Sequence, residues 1–287
     1  MQAIRSILVV MEPNHPENLA LNRARLLASV TKSHLHLLVC DKKDVHDSFL
    51  ANAAHNLQAE GYTVTTQQAW NGSAHQTIIA VQKTEGCGLV VKQHFPDNPL
   101  KKALLTPDDW KLLRYSPSPV LMVKTDRPWS GGNILAAVDV GNKDGEHRTL
   151  HAGIVSNGAE IAELARGTLH VITSHPSPML SAADPTFQVS ESIKASYQEK
   201  CREFQQTHQL PDERLHIEEG PADVLIPHTA HKLDAVVTII GTVARTGFSG
   251  VLIGNTAEVV LDQLESDVLV VKPEDILDRL EEIVAQR

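Results

Sequence analysis

The sequence predicts an α/β protein of two tandem halves, each an open parallel sheet with helices on both faces. Three observations carry this reading. The candidate strands are short, continuous apolar runs with no polar alternation, the pattern of a parallel strand covered on both sides. They alternate with helical stretches, so that each half reads β-α-β-α-β-α-β-α-β. The halves also resemble each other: residues 92–124 align with 240–272 without a gap, at a constant offset of 148 residues.

The first half opens with "IRSILVVMEP" (4–13), continues through the helical "NLALNRARLLASV" (18–30), and reaches a second strand in "SHLHLLVC" (33–40). Near its end, "LTPDDWKLL" makes a helix start, with Thr106 as N-cap, Pro107 at N1, and Asp108 and Asp109 in the first turn. Carboxylates there occupy the positive end of the helix dipole and repel phosphate. "VLMVK" (120–124) is the fifth strand. The linker "TDRPWSGG" (125–132) stops one half before the other begins, through its proline and paired glycines. The domains are therefore placed at 1–127 and 131–287.

The second half repeats the plan, with strands near 134–139, 169–173, 215–219, 235–240 and 268–271 and a helix over "RTLHAGIVSNGAEIAELA" (148–165). His170 falls opposite His36. This half is longer by 21 residues, most of them near "SHPSPMLSAADPTFQVS" (174–190). That stretch reads either as a lid over a site or as a connection tucking Met179, Leu180 and Phe187 onto the core. In the C-terminal "EDILDRLEEIVAQR", Ile276, Leu280, Ile283 and Val284 form one helical stripe, expected to dock on the protein itself.

Composition narrows the function. The net charge is -9, and it is concentrated: 1–128 hold 14 basic and 11 acidic residues, whereas 129–287 hold 12 and 24. An acidic surface of this kind argues against direct nucleic-acid binding. Cys40, Cys87 and Cys201 form no paired framework and read as reduced thiols. The longest apolar stretch, 235–244, is too short for a membrane span, and the N-terminus lacks a signal-peptide pattern. A cytoplasmic location is expected.

Open parallel sheets bind ligands beyond the carboxyl ends of their strands, where the strand order reverses. That points to "DVGNKDGEHR" (139–148) and to "GTVARTGFSGVLIGNTAE" (241–258), a glycine-bearing loop between an apolar strand and a helix. Such loops bring backbone N–H groups and a helix N-terminus to a phosphate. The tandem halves, the acidic end of the first strand and this G-x-x-G-x9-G-like loop together resemble the universal stress protein family, in its tandem form. The resemblance covers nearly the whole chain. It implies two tandem five-stranded parallel sheets in the order 3-2-1-4-5. It implies ATP as the candidate ligand, for the second half alone. Asp139 would lie at the end of the first strand, Val171 on the second, and Gly241, Ala244, Gly254, Asn255 and Thr256 on the phosphate loop.

The loop departs from the family pattern. Ala244 replaces the second glycine, Asn255 takes the Ser/Thr position, and the hydroxyl arrives one residue late at Thr256. Arg245 is placed to compensate by pairing with phosphate. Glu258 completes an N-x-x-E capping box that competes for the same N–H groups. In the first half Gly241 corresponds to Gln93, Ala244 to Pro96 and Gly254 to Thr106, and Glu12 stands for Asp139. No nucleotide is expected there.

Other patterns add no chemistry. His34 and His36, His147 and His151, and His228 and His231 lack a further ligand at metal spacing and read as structural or solvated. "GFSGV" is not a nucleophile elbow, a Walker lysine is absent, and no nucleophile–base pair can be named. The reading is a non-catalytic ligand-binding or regulatory module of the stress response, with no membrane insertion and no metal. Its alternatives are an ATP-binding regulator and a carrier of another small or amphipathic ligand. The resemblance also implies that the two fifth strands pair antiparallel within the chain, since single-domain relatives pair them between chains.

Overall fold

The computed structural model describes residues 4–15, 17–43, 45–95, 107–141, 145–175, 187–242, 245–247, 250–252 and 255–273. The first half runs β1 (Ser6–Met11), α1 (Leu19–Thr31), β2 (His34–Cys40), α2 (Asp47–Ala59), β3 (Val64–Ala69), α3 (Ala74–Glu85), β4 (Leu89–Gln93), α4 (Pro107–Tyr115) and β5 (Val120–Val123). The second runs β6 (Asn133–Ala137), α5 (Gly145–Ala165), β7 (Thr168–His175), α6 (Phe187–His208), β8 (Leu215–Glu219), α7 (Ala222–Lys232) and β9 (Ala235–Gly241). It ends with β10 (Arg245–Gly247), β11 (Gly250–Leu252), α8 (Asn255–Gln263) and β12 (Asp267–Val271).

Each half has the expected order, but the two do not form two sheets. They merge into one ten-stranded sheet, β3-β2-β1-β4-β5-β12-β9-β6-β7-β8. The cause is the apolar character of the fifth strands, all of whose residues in β5 and β12 are buried. An apolar strand left at an edge would expose its unpaired backbone to other chains. Here β5 and β12 pair with each other, antiparallel, with Val268 opposite Met122, Leu269 opposite Leu121 and Val270 opposite Val120. Leu121 and Leu269 are equivalent residues at the 148-residue offset, so the pseudo-two-fold axis passes between them. The remaining pairs of the ten-stranded sheet are parallel.

Continuous apolar strands are required because both faces are covered. Ile7, Val9 and Met11 face a core shared with α1, α2, α5 and α6, which contribute Leu27, Leu50, Ile154 and Phe204. Leu8 and Val10 face the other, with Ile78 of α3, Leu112 of α4, Ala230 of α7 and Leu261 of α8. The alternation is that of any strand; both phases are apolar because neither meets water. None of the three cysteines is in a disulfide. Thr106, the expected cap of α4, lies outside the described residues, as do 176–186 and 274–287. Residues 187–190 of the longer connection form the first turn of α6.

The join is fastened by a buried carboxylate. Asp267, fully buried at the start of β12, accepts from Arg23 Nε of α1 at 2.7 Å and from Trp129 Nε1 of the linker at 2.8 Å. Its other oxygen accepts the backbone N–H groups of Lys124 and Thr125, at 2.9 and 3.1 Å. Arg23 lies over the Trp129 ring, 5.0 Å from its centroid, and donates to the carbonyls of Thr125 and Arg127. At the 148-residue offset Asp267 corresponds to Pro119, so the first half has no counterpart of this carboxylate and the knot is not repeated.

Two equivalent lysines cross the join. Lys124 Nζ donates to the carbonyls of Leu261 (2.9 Å) and Leu264 (2.6 Å) at the end of α8. Lys272 Nζ donates to the carbonyl of Ser116, just past α4. Burial pushes Lys124 down to about 8 and Lys272 to about 7, from 10.5. The unfolded chain keeps these protons to about pH 10.5, so between the two values it binds more protons than the folded state, and stability rises with pH. Cys40 and Cys201, whose thiols burial pushes up to about 12 and about 11, oppose this only above their unfolded value of 9.0. His34, His170, His208 and His216, all lowered by burial, act below 6.5. Between about pH 7.5 and about 8.5 denaturant unfolding should therefore show stability rising, by at most about 1.4 kcal/mol per pH unit for each lysine. Lys272→Met should flatten that rise; a flat or falling profile in the parent protein would contradict the assignment.

Candidate functional site

In the second half the strand order reverses between β6 and β9, which lie side by side with Ala137 opposite Ile240. β6 ends two residues before Asp139, which is exposed in the loop beyond. The loop is held from three directions. The N–H of Asp139 donates to His151 Nε2 of α5 at 3.3 Å, which places the His151 proton on Nδ1. Asp139 Oδ1 accepts the N–H of Gly141 at 3.1 Å. Lys200 Nζ of α6 donates to the Gly141 carbonyl at 2.8 Å.

A hydroxyl relay completes the support. The N–H of Val140 donates to Thr173 Oγ1 (3.3 Å), which lies 2.5 Å from the Tyr197 hydroxyl, and Tyr197 donates to the Ser174 carbonyl (2.9 Å). Because the Tyr197 proton is used on Ser174, Thr173 is the donor between the two hydroxyls. Burial pushes the Tyr197 hydroxyl up to about 12, so it stays protonated.

The other predicted residues are less simply placed. The Val171 side chain is fully buried in the core, four residues short of the end of β7. Gly241 ends β9, and a Cβ there would come within 2.6 Å of Leu150 Cδ2 and 2.9 Å of Ile154 Cδ1. The glycine is thus demanded by the seating of α5 on the sheet, whatever the loop holds. Arg245 opens β10, and Asn255 and Thr256 open α8. Ala244 and Gly254 lie outside the described residues. The loop is also not a plain glycine loop: β10 and β11 pair antiparallel, with Thr246 opposite Val251, and β11 packs near α4 of the first half.

Thr242, the residue after Gly241, is the informative one. Its N–H donates to the Val271 carbonyl, but its hydroxyl is buried without a partner among the described residues. By strand alternation it faces away from α5, toward the side on which α7 and α8 pack. A buried hydroxyl without a partner costs about 1–3 kcal/mol.

The first half shows what such a position looks like when filled from within. At the 148-residue offset, Ile240, Thr242 and Ala257 correspond to Lys92, His94 and Asp109. Asp109 is fully buried in the first turn of α4; its carboxylate lies 2.8 Å from Lys92 Nζ and accepts from His94 Nδ1 at 3.1 Å. Burial alone would raise this carboxyl, but the His94 hydrogen bond and Lys92 outweigh it and hold it well below the usual range. Gln93, in the place of Gly241, accepts the N–H of Leu19 at the start of α1 (2.9 Å). His15 and Phe95 stack across the loops beyond β1 and β4, 3.8 Å between centroids. Glu12, raised by burial, is tied to Asn18 through backbone contacts at 3.3 Å. This crevice is occupied by the protein's own charges.

The tandem α/β fold is matched outside this chain. The profile of the Universal stress protein family matches residues 41–124 and 132–272. Universal stress protein E of Escherichia coli (strain K12) is 30% identical across 96% of both chains. The chain belongs to the universal stress protein family. A universal stress protein E homolog of Haemophilus influenzae is 31% identical over 89% of this chain and 84% of its own. A solved structure of a protein of unknown function from Pseudomonas aeruginosa PAO1 is 67% identical, with TM-score 0.93, covering 100% of this chain and 99% of that one. A universal stress protein from Archaeoglobus fulgidus shares the fold at TM-score 0.65 and 15% identity.

Thr242, Tyr197 and Lys200, none of them singled out from the sequence, lie at or support the loops after β6 and β9. A buried Thr242 was available from the offset alignment with His94, but only the inward turn of Asp109 gives that alignment meaning. Of the paired histidines, His34 and His36 both bond Thr65, His36 also lies against Gln67, and His151 accepts the Asp139 N–H; His170 lies 3.1 Å from His216. Among the described residues no group of three His, Cys, Asp or Glu could hold a metal. Gly241→Ala should destabilise the fold by about 1–3 kcal/mol through overpacking. Adding Leu150→Ala should recover part of that loss in a double-mutant cycle of denaturant midpoints. A Gly241→Ala protein of unchanged stability would overturn the packing role.

Proposed function

We propose that the protein is a non-catalytic ligand-binding module of the stress response, acting in the cytoplasm. Its second half takes a phosphate-bearing ligand, with ATP the candidate, in the crevice between the loops after β6 and β9. The observation that carries this is the contrast between the two halves beneath their fourth helices. In the first, an internal carboxylate meets a lysine and a histidine at the start of α4. In the second, the equivalent carboxylate is missing, because position 257 is alanine, and the Thr242 hydroxyl has no partner.

An anion at the start of α8 would fill both gaps, since free N–H groups and the positive end of the helix dipole favour it. Glu258 falls one residue after the Asp109 position, about a quarter-turn round the helix. Asp139 would face the sugar or base. The acidic second half disfavours nucleic acid. No helix among the described residues is long and apolar enough to cross a membrane.

A second reading, a carrier of a small amphipathic molecule, rests on a cavity of about 190 Å³ beyond the ends of β7 and β8. It is lined by His175, Tyr197, Gln198, Ile217 and Glu219.

Calorimetry with ATP and magnesium separates these readings. The parent protein should bind, and Ala257→Asp, which copies the first half, should weaken binding about tenfold or more. Undiminished binding in Ala257→Asp would remove the anion from this place. No binding in either protein would favour the cavity, to be checked by mass spectrometry of co-purified small molecules.

A further inference from the structure

The first half, closed by its own charges, is nevertheless in contact with the second-half loop at two places. α8 carries the proposed anion-binding turn at its amino end, and Lys124 of the first half grips its carboxyl end through the Leu261 and Leu264 carbonyls. β11, inside the loop, lies near α4. α4 is in turn gripped by Lys272, whose partner Ser116 is the equivalent of Leu264. The carbonyls at a helix end lack intrahelical partners, and an ammonium there meets both those carbonyls and the negative end of the dipole.

We propose that Lys124 is a positioning residue for the second half: it fixes α8 as a rigid unit and so sets the turn at that helix's amino end, and the first half serves as holder of the second half's ligand loop. The ligand part of this inference rests on the function proposed above; the holding of α8 does not. Three features argue for a dedicated grip. The contact is bidentate, it is repeated by Lys272 across the pseudo-two-fold axis, and each lysine serves the helix of the other half. The charged groups around Lys124 are Asp262 and Glu265 of the α8 end, Asp267 of β12 and Asp109 of α4. All are carboxylates, so they favour the ammonium against its burial. α8 spans nine residues, about 13 Å, short enough to move as one piece when its far end is released.

Hydrogen exchange followed by mass spectrometry on the full chain tests the inference without any ligand. In Lys124→Met, the helix-bonded amides along α8, including those at 258–260, should exchange about tenfold faster, with α4 unchanged. Lys272→Met should do the reverse, loosening α4 and sparing α8. Lys124→Arg, which can still donate to both carbonyls, should restore parent protection. Faster exchange confined to the last turn of α8, or spread equally over both halves, would overturn the proposal. A folding failure of Lys124→Met would leave Lys124→Gln, which keeps one donor group, to give the same readout. With ATP and magnesium, Lys124→Met should also bind about tenfold more weakly. If the parent binds no ATP, the functional reading fails while the exchange data still decide the role of Lys124.

Discussion

The structure depends on one constraint: two apolar strands that would otherwise be edges must be covered, and each covers the other. Once β5 and β12 pair antiparallel, the rest of the join follows. The two sheets become one, α4 and α8 are brought to the same face, and the lysines that follow the two strands come within reach of each other's helices. The Asp267 knot then ties α1 and the linker to the start of β12. A buried carboxylate is costly to bury, and it is tolerated here because four donors, one of them charged, meet its two oxygens. Removing any of these partners leaves the others facing an apolar core.

On this shared frame the two halves have diverged in one chemical respect. The first resolves the electrostatics of its switch-point crevice internally, with Asp109 against Lys92 and His94. Charge is balanced there, and an incoming phosphate would meet a carboxylate at the helix start. The second keeps the fold but not the charges. An isoleucine, a threonine and an alanine stand at the same three positions, and a buried hydroxyl remains unsatisfied. The lysines crossing the join tie each half to the fourth helix of the other.

Much of this could be read from the sequence. Continuous apolar runs gave the parallel strands, the 148-residue offset gave the repeat, and the apolar "VLMVK" and "VLVVK" strands predicted the join. The helix start at Pro107 was legible from its residues, and Asp108 and Asp109 do lie in the first turn of α4. What could not be read depends on long-range placement. Arg23 meets Asp267 across 244 residues, a pairing that no local spacing reports. Gly241 fits the spacing of a phosphate loop, but its neighbours Leu150 and Ile154 come from a helix whose seating is a tertiary fact. The pairing of β10 with β11 was hidden because glycines at positions 247 and 250 suit either a hairpin or an open loop. The sheets were expected as two because periodicity stops at the end of each half, while the hydrogen bonds do not.

The central claim is that the halves form one folding unit, joined by the β5–β12 pair and fastened by Asp267. Differential scanning calorimetry tests this most directly. The account predicts a single transition whose calorimetric and van 't Hoff enthalpies agree. Asp267→Ala, which leaves the buried Arg23 with two carbonyls but no carboxylate, should lower stability by about 3–5 kcal/mol. Two resolved transitions in the parent protein, or an Asp267→Ala protein as stable as the parent, would contradict the account.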